Sequence, residues 1–349
     1  MSDFHSLTVS SVERLTPNAV AISFSIPKEL KDTFSFLSGQ YITIKHPMNG
    51  GEIRRAYSIC SLPTAPGISV GVKKVEDGTF SVYANTAIKA GDVMEVMPPE
   101  GRFVFHPSNR EQHIAAFAAG SGITPILSIA QNVLESHLNS TFVLVYGNQS
   151  PEETMFYRNL RALSKKYTNR FFIQFVYSKA QEEGSLFGRI DTSTVNFIIK
   201  NKFKEVSFDR FYLCGPEPMI HVVSDTLKVA GVPDADILYE LFTSTEAVDT
   251  IAENLDGTTK VEVVVDDETY SLSMDKKTLV LDAVLKENID APYSCQGGVC
   301  SSCIARITEG KAEMVKNQIL TDGEIAEGLI LTCQAHPLTP TLKVDYDDV

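Results

Sequence analysis

The sequence predicts a multidomain fold with an antiparallel β-barrel, an α/β domain built on a parallel sheet, and a small β-grasp domain. Three observations predict it: short β-branched runs separated by Gly and Pro, a later alternation of strand and helix patterns, and a final hairpin followed by a short helix and a cysteine-rich loop. We expect the barrel over residues 1–108, the α/β domain over 109–242, a polar linker over 243–258 and the third domain over 259–349.

Apolar, β-branched runs define the strands expected in the barrel. They occupy residues 7–9, 19–24, 41–44, 68–72 and 93–96, and residues 55–58 are expected on a further strand. Gly and Pro residues separate these runs and mark the turns that join antiparallel strands.

The pattern changes near residue 113, where buried-strand runs begin to alternate with helical periodicity. Strands are expected over 114–119, 142–146, 171–177, 210–214 and 237–242, with helices from after Pro125 to about residue 137, near 152–167 and over 217–230. Such alternation indicates a parallel sheet with crossover helices.

The last 91 residues have the element order of a small β-grasp domain. A hairpin is expected over 261–265 and 269–273 with its turn at Asp266 and Asp267, followed by a short helix over 279–285 and a late strand over 342–344.

Composition and charge narrow the class of function. The chain has 349 residues, enough for two or three domains, and its 43% hydrophobic content is typical of folded domains. The net charge of −13 argues against nucleic acid as a partner. The sequence contains no run of about 18 apolar residues, so a membrane span is not expected. Six cysteines without an evident export signal indicate a reducing cytoplasm.

The acidic charge is concentrated at the C-terminal end. Residues 259–349 contain 8 Lys+Arg against 16 Asp+Glu. A basic docking partner would suit such a surface, although an acidic, merely solvated surface is the commoner explanation.

Four cysteines in the third domain have the spacing of an iron–sulfur site. Cys295, Cys300 and Cys303 form C-x4-C-x2-C, and Cys333 follows after 29 intervening residues. This is the pattern by which plant-type ferredoxins hold a [2Fe–2S] cluster. The adjacent Gly297 and Gly298 would let the backbone approach the cluster and donate N–H groups to it. Structural zinc and a disulfide are the weaker alternatives. A structural zinc site usually has two short C-x2-C motifs, and this sequence has one.

Two glycine-containing turns lie at strand-to-helix junctions of the α/β domain. Gly120 and Gly122 follow one expected strand, and Cys214 and Gly215 end another. Glycines at such junctions let the backbone approach a dinucleotide pyrophosphate at a helix N-terminus. A lone glycine turn is frequently only a loop, but the strand and helix context of Gly120 and Gly122 favours nucleotide binding. For Cys214, a buried and inert cysteine at the end of a strand is the default interpretation from the residues alone.

Together with two barrel motifs, these turns resemble the ferredoxin–NADP⁺ reductase superfamily. The motifs are Arg55-x-Tyr57-Ser58 and residues 78–81, and all occur in the order found in that family. With the C-terminal cysteine domain, the whole chain resembles oxygenase reductases of the phenylacetyl-CoA epoxidase type. The segments that carry this resemblance are 4–9, 54–60, 118–125, 146–148, 188–191 and 297–300.

The resemblance implies an FAD site. Arg55 would pair with the pyrophosphate through a bidentate, charge-assisted contact, Tyr57 would pack on the flavin, and Ser58 would lie near flavin N5. Residues 78–81 would supply backbone N–H groups and a hydroxyl to the pyrophosphate. The full expected set is Arg55, Tyr57, Ser58, Val72, Lys73, Gly78, Phe80, Ser81, Thr124 and Phe242. Cys60 is interpreted as packing only.

The resemblance also implies a site of hydride transfer. Cys214 would lie beside the nicotinamide C4, Glu240 near the hydride path, and Phe242 on the flavin face that the nicotinamide must occupy; ordinary core packing is the alternative for Phe242. The expected catalytic residues are Ser58, Cys214 and Glu240. The expected NAD(P)-binding residues are Gly120, Gly122, Pro125, Lys179, Arg189, Cys214, Gly215 and Pro216.

One departure from the family pattern concerns the choice of nucleotide. Gln149 stands where the family commonly has Arg, at the adenosine end of the expected site. Because Arg or Lys usually holds the 2′-phosphate of NADPH, this change weakens the expected preference, although Lys179 or Arg189 could substitute. We expect a moderate preference for NADPH, with NADH also possible.

The resemblance therefore predicts a reductase that passes electrons from NAD(P)H through FAD and a [2Fe–2S] cluster to a diiron oxygenase, with phenylacetyl-CoA epoxidase as the expected acceptor. The alternatives are another oxygenase, a ferredoxin or a hybrid-cluster protein as acceptor, and a non-catalytic redox sensor that uses the cluster to control binding. Nucleic acid and membrane are not expected partners.

Overall fold

A computed structural model describes residues 4–48, 51–242 and 249–349 of the chain. The strands are β1 (His5–Thr16), β2 (Ala19–Ser25), β3 (Tyr41–Met48), β4 (Gly51–Ser58), β5 (Gly67–Lys73), β6 (Val93–Val96), β7 (His113–Ala119), β8 (Thr141–Asn148), β9 (Phe171–Tyr177), β10 (Leu186–Phe187), β11 (Arg210–Cys214), β12 (Ile237–Glu240), β13 (Thr258–Val265), β14 (Glu268–Asp275), β15 (Ile304–Glu309), β16 (Ala312–Met314), β17 (Leu329–Leu331), β18 (Ala335–Pro337) and β19 (Thr341–Asp345).

The helices are α1 (Thr79–Thr86), α2 (Ile123–Ser136), α3 (Tyr157–Lys166), α4 (Thr192–Asn196), α5 (Glu217–Val229), α6 (Thr250–Glu253), α7 (Val280–Lys286) and α8 (Asp322–Ala326). None of the helices in the described ranges is both long and apolar enough to cross a membrane.

The chain divides into two compact units. One contains His5–Ile53 and Tyr57–Phe242; the other consists mainly of the residues from 249 onward, with Phe4 and Arg54–Ala56. The first unit holds two six-stranded sheets, and the second is organised on a five-stranded sheet.

The first sheet of the larger unit is antiparallel, with strand order β4-β3-β6-β1-β2-β5. A bridge between Ile59 and Val70 brings its two edges together and closes the sheet into a barrel. Alternate residues of β1 and β2, among them Leu7, Val9 and Ile22, point into the barrel core. The predicted strands are confirmed. Helix α1 was not predicted, because its Thr, Ser and Asn residues give it little intrinsic helix propensity.

The second sheet is parallel, with order β10-β9-β8-β7-β11-β12. The predicted strands and crossover helices are confirmed, whereas the two-residue β10 and the short α4 were not predicted. The expected helix near 152–167 is a 3-10 turn, Pro151–Glu153, followed by α3. Because parallel strands end at one edge of a sheet, β7, β8, β11 and β12 bring their carboxyl ends together there, where ligands of such sheets bind.

The smaller unit has the five-stranded order β14-β13-β19-β15-β17, with α7 packed on it through Leu281 and Val284. The loop that carries three cysteines lies between α7 and β15, and Cys333 lies in the 3-10 turn after β17. The predicted hairpin, helix and late strand are confirmed. Part of the predicted linker, residues 243–248, lies outside the described residues; the rest contains α6 and the start of β13.

Candidate functional site

The ends of three strands bring Ser58, Cys214 and Glu240 to one buried place. Cys214 ends β11 and pairs with Glu240, the last residue of β12. Ser58 ends β4, and its hydroxyl donates a hydrogen bond of 2.9 Å to Glu240 Oε2. All three are buried. The structure thus brings together the residues that sequence analysis named as catalytic, although Ser58 and Glu240 are 182 positions apart.

Burial controls the protonation of this group. Loss of solvent raises the pKa of Glu240 to about 8, although the hydrogen bond from Ser58 favours the ionised form. Burial, and secondarily the charge of Glu240, raises the pKa of the Cys214 thiol well above its ordinary value. At neutral pH Glu240 therefore holds a proton and Cys214 is a neutral thiol. The arrangement can hold a proton at the Glu240 carboxyl beside the Ser58 hydroxyl.

The glycine turn after β7 packs directly on this group. A Cβ atom on Gly122 would lie only 2.1 Å from the carbonyl oxygen of Cys214, so no other residue fits without moving the backbone. Gly120 has a φ of +55°. Tyr146, at the carboxyl end of β8, donates its hydroxyl to the Gly120 carbonyl at 2.8 Å and supports the turn. Sequence reasoning gave Tyr146 no role of its own, because a tyrosine within a buried strand is ordinary core.

Thr124 and Pro125 form the first turn of α2 and are buried. The Thr124 hydroxyl donates to the Ser121 carbonyl at 3.0 Å, a contact within the turn. Gly215 and Pro216 precede α5, with Pro216 at its N-cap. These residues shape the two turns at the carboxyl edge of the parallel sheet.

The barrel contributes an aromatic surface and the N-terminus of a helix. Tyr57, half-buried on β4, has its ring 5.5 Å from that of Phe80 in α1. No side chain caps the first turn of α1 at Gly78, so its backbone N–H groups favour an anion there. The Ser81 hydroxyl accepts from the Val75 N–H at 3.1 Å. A half-exposed aromatic ring and an uncapped helix N-terminus fit a flavin ring and a pyrophosphate.

The other expected flavin residues differ in accessibility. Val72 and Phe80 are buried in the barrel core. Arg55 is exposed on β4, and its guanidinium donates to the Arg54 carbonyl at 2.8 Å. The Lys73 ammonium lies 3.8 Å from the position that a Cβ atom on Gly120 would take, which places Lys73 beside the glycine turn.

Phe242, directly after β12, is half-buried and packs against the core of the larger unit. It lies two residues beyond Glu240, and its packing agrees with the alternative interpretation as a core residue. The chain immediately after Phe242 lies outside the described residues.

The turns after β8 and β9, where the adenosine end of the nucleotide is expected, are joined. The backbone N–H of Lys179 donates to the Gln149 carbonyl at 2.9 Å, and that of Ser178 to the Asn148 carbonyl at 3.0 Å. Lys179 and Arg189 are exposed. The structure therefore places Lys179 directly beside Gln149, the position where the family commonly has Arg.

The four cysteines of the smaller unit associate in two pairs. The thiol of Cys295 interacts with that of Cys300, and the thiol of Cys303 with that of Cys333. Within the described residues, no three His, Cys, Asp or Glu side chains converge on one metal-ion position. All six cysteines are free thiols. Together the two pairs supply the four thiols that would hold a [2Fe–2S] cluster.

Local donors favour the thiolate form of Cys295, whereas the partner cysteine of each pair, and then burial, raise the pKa of Cys300 and of Cys303 well above the ordinary value. The Cys300 thiol, followed by backbone N–H groups of the loop, lowers the pKa of Cys295 to about 6, although burial opposes this. The Gly297 N–H donates to Cys295 Sγ at 3.3 Å. Gly298 has a φ of +71°, and Gln296 is also in the left-handed conformation, with a φ of +54°. This donor set fits the [2Fe–2S] cluster predicted from the cysteine spacing.

Comparison with known protein families agrees with this geometry. Residues 6–105 match the model of an oxidoreductase FAD-binding domain, residues 117–225 that of an oxidoreductase NAD-binding domain, and residues 258–338 that of a 2Fe-2S iron–sulfur cluster binding domain. The prediction of FAD, a nicotinamide nucleotide and a [2Fe–2S] cluster is confirmed.

Two relatives are similar from end to end. The chain is 38% identical to a 1,2-phenylacetyl-CoA epoxidase component from Escherichia coli, over 99% of each chain. It is 35% identical to the ferredoxin reductase component of 3-ketosteroid-9-alpha-monooxygenase from Rhodococcus rhodochrous, over 97% of this chain and 96% of that one.

Among solved structures, phthalate dioxygenase reductase has the same fold, with a TM-score of 0.63, 23% identity and 98% of each chain covered. Fold and site thus define an NAD(P)H-dependent oxidoreductase with flavin and iron–sulfur domains. The chain belongs to the family of reductase components that serve oxygenase systems.

Proposed function

We propose that this enzyme is the reductase component of a phenylacetyl-CoA epoxidase system and delivers electrons from NAD(P)H to a diiron oxygenase. The observation that carries the proposal is the 38% identity to the Escherichia coli epoxidase component over 99% of both chains. Similarity from end to end retains the order of all three domains, and it includes the loops around each site as well as the cores.

The larger unit would hold FAD and the nicotinamide nucleotide. When bound, FAD supplies the chemistry that divides a two-electron hydride into single electrons. Glu240 holds a proton at neutral pH, so it presents no carboxylate charge to the negatively charged hydride. The hydroxyl of Ser58 is oriented by its hydrogen bond to Glu240. We assign to this pair the task of keeping the site of hydride transfer uncharged and ordered.

Cys214 would position the nicotinamide. The backbone of Gly122 packs on the Cys214 carbonyl, so the two turns at the edge of the parallel sheet are in close contact. Gly120, Pro125, Gly215 and Pro216 would shape the surface for the nucleotide pyrophosphate, as such turns do at the switch point of a parallel sheet.

Flavin contacts would come from both sheets. Tyr57 would pack on the ring system, Arg55 would pair with the pyrophosphate, and the first turn of α1, from Gly78 to Ser81, would donate N–H groups. Lys73, Thr124 and the backbone at Val72 would complete the surface, and Phe242 would cover the flavin face that the nicotinamide must reach.

Cys295, Cys300, Cys303 and Cys333 would hold the [2Fe–2S] cluster, which supplies one-electron transfer to the oxygenase. We place the domain boundaries near residues 108, 242 and 258. The free cysteines support a reducing compartment, and we propose the cytoplasm. For the nucleotide, we propose a moderate preference for NADPH, held through Lys179 or Arg189.

The test is reconstitution with purified oxygenases. The reductase is mixed with NADPH and either the oxygenase of the phenylacetyl-CoA epoxidase system or that of the 3-ketosteroid-9-alpha-monooxygenase system, and product is measured with each substrate. We expect product with phenylacetyl-CoA and little with the ketosteroid. The reverse result would favour the second candidate, which the 35% identity to the Rhodococcus reductase component supports, and would overturn the epoxidase assignment.

A further inference from the structure

A buried series of hydrogen-bonded hydroxyl groups leads from Tyr346, the residue after β19, to the backbone of an expected cluster ligand. The Tyr346 hydroxyl donates to Thr332 Oγ1 at 2.9 Å, and the Thr332 hydroxyl donates to the Cys303 carbonyl at 3.0 Å. Thr332 also donates its backbone N–H to the same carbonyl at 3.1 Å. Thr332 is 0% exposed and Tyr346 5% exposed, so water does not compete for these bonds.

The Tyr346 hydroxyl fixes the direction of these hydrogen bonds. Because the tyrosine O–H donates to Thr332 Oγ1, the threonine hydrogen must turn to another acceptor, and the Cys303 carbonyl accepts it. Each hydroxyl therefore points the positive end of its dipole toward Cys303. Buried hydrogen bonds that follow one another in this way strengthen one another in a low dielectric.

These hydrogen bonds connect the segments that carry Cys303 and Cys333. Thr332 immediately precedes Cys333, and its two bonds to the Cys303 carbonyl join the segments that carry these two cysteines. Tyr346 itself is fixed in the core, where its backbone N–H donates to the Val264 carbonyl at 2.9 Å.

We propose that Tyr346 is a positioning residue for the [2Fe–2S] cluster: through Thr332 it sets the geometry of the Cys303 and Cys333 pair and makes the cluster easier to reduce. Two dipoles whose positive ends point toward the Cys303 backbone favour the added negative charge of an electron. Hydrogen bonds that orient the residues carrying the ligands are among the established controls on a metal site. The proposal does not depend on which oxygenase accepts the electrons.

Tyr346→Phe is the first test, because it keeps the ring in the core and removes only the hydroxyl. In the full-length, anaerobically purified holoenzyme we expect a lower midpoint potential of the cluster, altered EPR g-values of the reduced cluster, and release of iron to a chelator up to about tenfold faster, the lower end of what loss of a supporting contact costs a metal site. The rate of flavin reduction by NADPH should not change.

Tyr270→Phe is the matched control in the same unit, since the Tyr270 hydroxyl bonds the surface residue Glu268. It should leave the potential, the EPR spectrum and the iron release unchanged. Thr332→Ser retains a hydroxyl and should keep wild-type values, whereas Thr332→Val should reproduce the effects of Tyr346→Phe.

The double variant Tyr346→Phe with Thr332→Val separates positioning from general loss of stability. If the two hydroxyls act as one chain, the double variant should shift the potential no further than Thr332→Val alone, because the tyrosine acts through the threonine. An unchanged potential and EPR spectrum in Tyr346→Phe would overturn the proposal, as would independent, additive shifts.

Discussion

The hydroxyl of Ser58 donates a 2.9 Å hydrogen bond to the carboxyl group of Glu240, and so joins the end of a barrel strand to the last strand of the parallel sheet. Both residues are buried, and Cys214 pairs with Glu240 across β11 and β12. The bond places a protonated carboxyl group where hydride transfer is proposed to occur. Its consequences can be measured in solution.

The first prediction concerns stability and pH. The pKa of Glu240 is raised from its ordinary 4.5 to about 8 in the folded chain. Between these values the folded state retains a proton that the unfolded state releases, so the free energy of unfolding should fall as pH rises, by up to about 1.4 kcal/mol per pH unit. Glu240→Gln should remove this slope. Urea unfolding of the full chain before FAD is added, at several pH values between about 5 and 8, measures it.

Glu182→Gln is the control for this prediction, because Glu182 is exposed in the same unit. It should leave the pH dependence as in the wild type. A slope that persists in Glu240→Gln would show that another group retains the proton, and would contradict the assignment of a neutral carboxyl group at this site.

A second prediction concerns Cys214. Cys214→Ala should slow flavin reduction by NADPH more than it weakens FAD binding, because a nicotinamide displaced by about 1 Å can lose on the order of 100-fold in rate. Stopped-flow absorbance measures the first quantity, and fluorescence titration of FAD the second. Cys60→Ala is the matched control: Cys60 is also buried, and its thiol donates to the Ser69 carbonyl. Equal rates of flavin reduction in the two variants would show that Cys214 only packs in the core.

The third prediction separates the two units. Cys300→Ser should abolish the cluster while flavin reduction by NADPH continues at nearly the wild-type rate, since Cys300 belongs to the smaller unit and Ser58, Cys214 and Glu240 to the larger one. Iron and acid-labile sulfide analysis, combined with stopped flow, tests it. Collapse of flavin reduction in variant protein that is folded and loaded with FAD would contradict a modular arrangement.

A fourth prediction concerns the nucleotide. The Lys179 backbone bonds Gln149, and Lys179 and Arg189 are the cations assigned to the 2′-phosphate. We expect kcat/KM to favour NADPH moderately and the preference to fall as salt rises, because exposed charge pairs are screened. Gln149→Arg should increase the preference, chiefly through KM. Gln181→Arg, at an exposed position, controls for added charge alone. Better use of NADH at low salt would contradict the assignment.

Sequence reasoning predicted features that depend on local pattern. Buried β-branched runs indicated all the strands of the barrel, all but β10 of the parallel sheet, and β13, β14 and β19 of the smaller unit, while β15 to β18 were missed. Fixed cysteine spacing indicated the expected ligands of the cluster. Helix α1 was missed because its propensity is weak; it is held instead by packing and by Asn85, whose amide donates to the Val72 and Ser81 carbonyls.

Contacts between residues far apart in the sequence could not be predicted from it. The bond between Ser58 and Glu240 and the bond between Tyr346 and Thr332 depend on how separate strands pack, which no local pattern records. The predicted linker shows the same limit. Asp249 caps α6 by accepting from the Ala252 N–H, and it also pairs with the buried His336 at 2.9 Å. A polar segment without periodicity gave no sign of either contact.

The most direct test of the central claim is anaerobic reduction followed by EPR. Protein loaded with FAD and the cluster is mixed with NADPH, frozen at increasing times, and its reduced-cluster signal is quantified against iron content. Flavin absorbance should bleach first, and a signal approaching one spin per two irons should follow, as expected when one electron enters a two-iron cluster. The contradicting result would be a flavin that bleaches with NADPH while the cluster remains oxidised, in a preparation whose cluster dithionite can reduce. That result would exclude electron transfer from NADPH through FAD to the cluster.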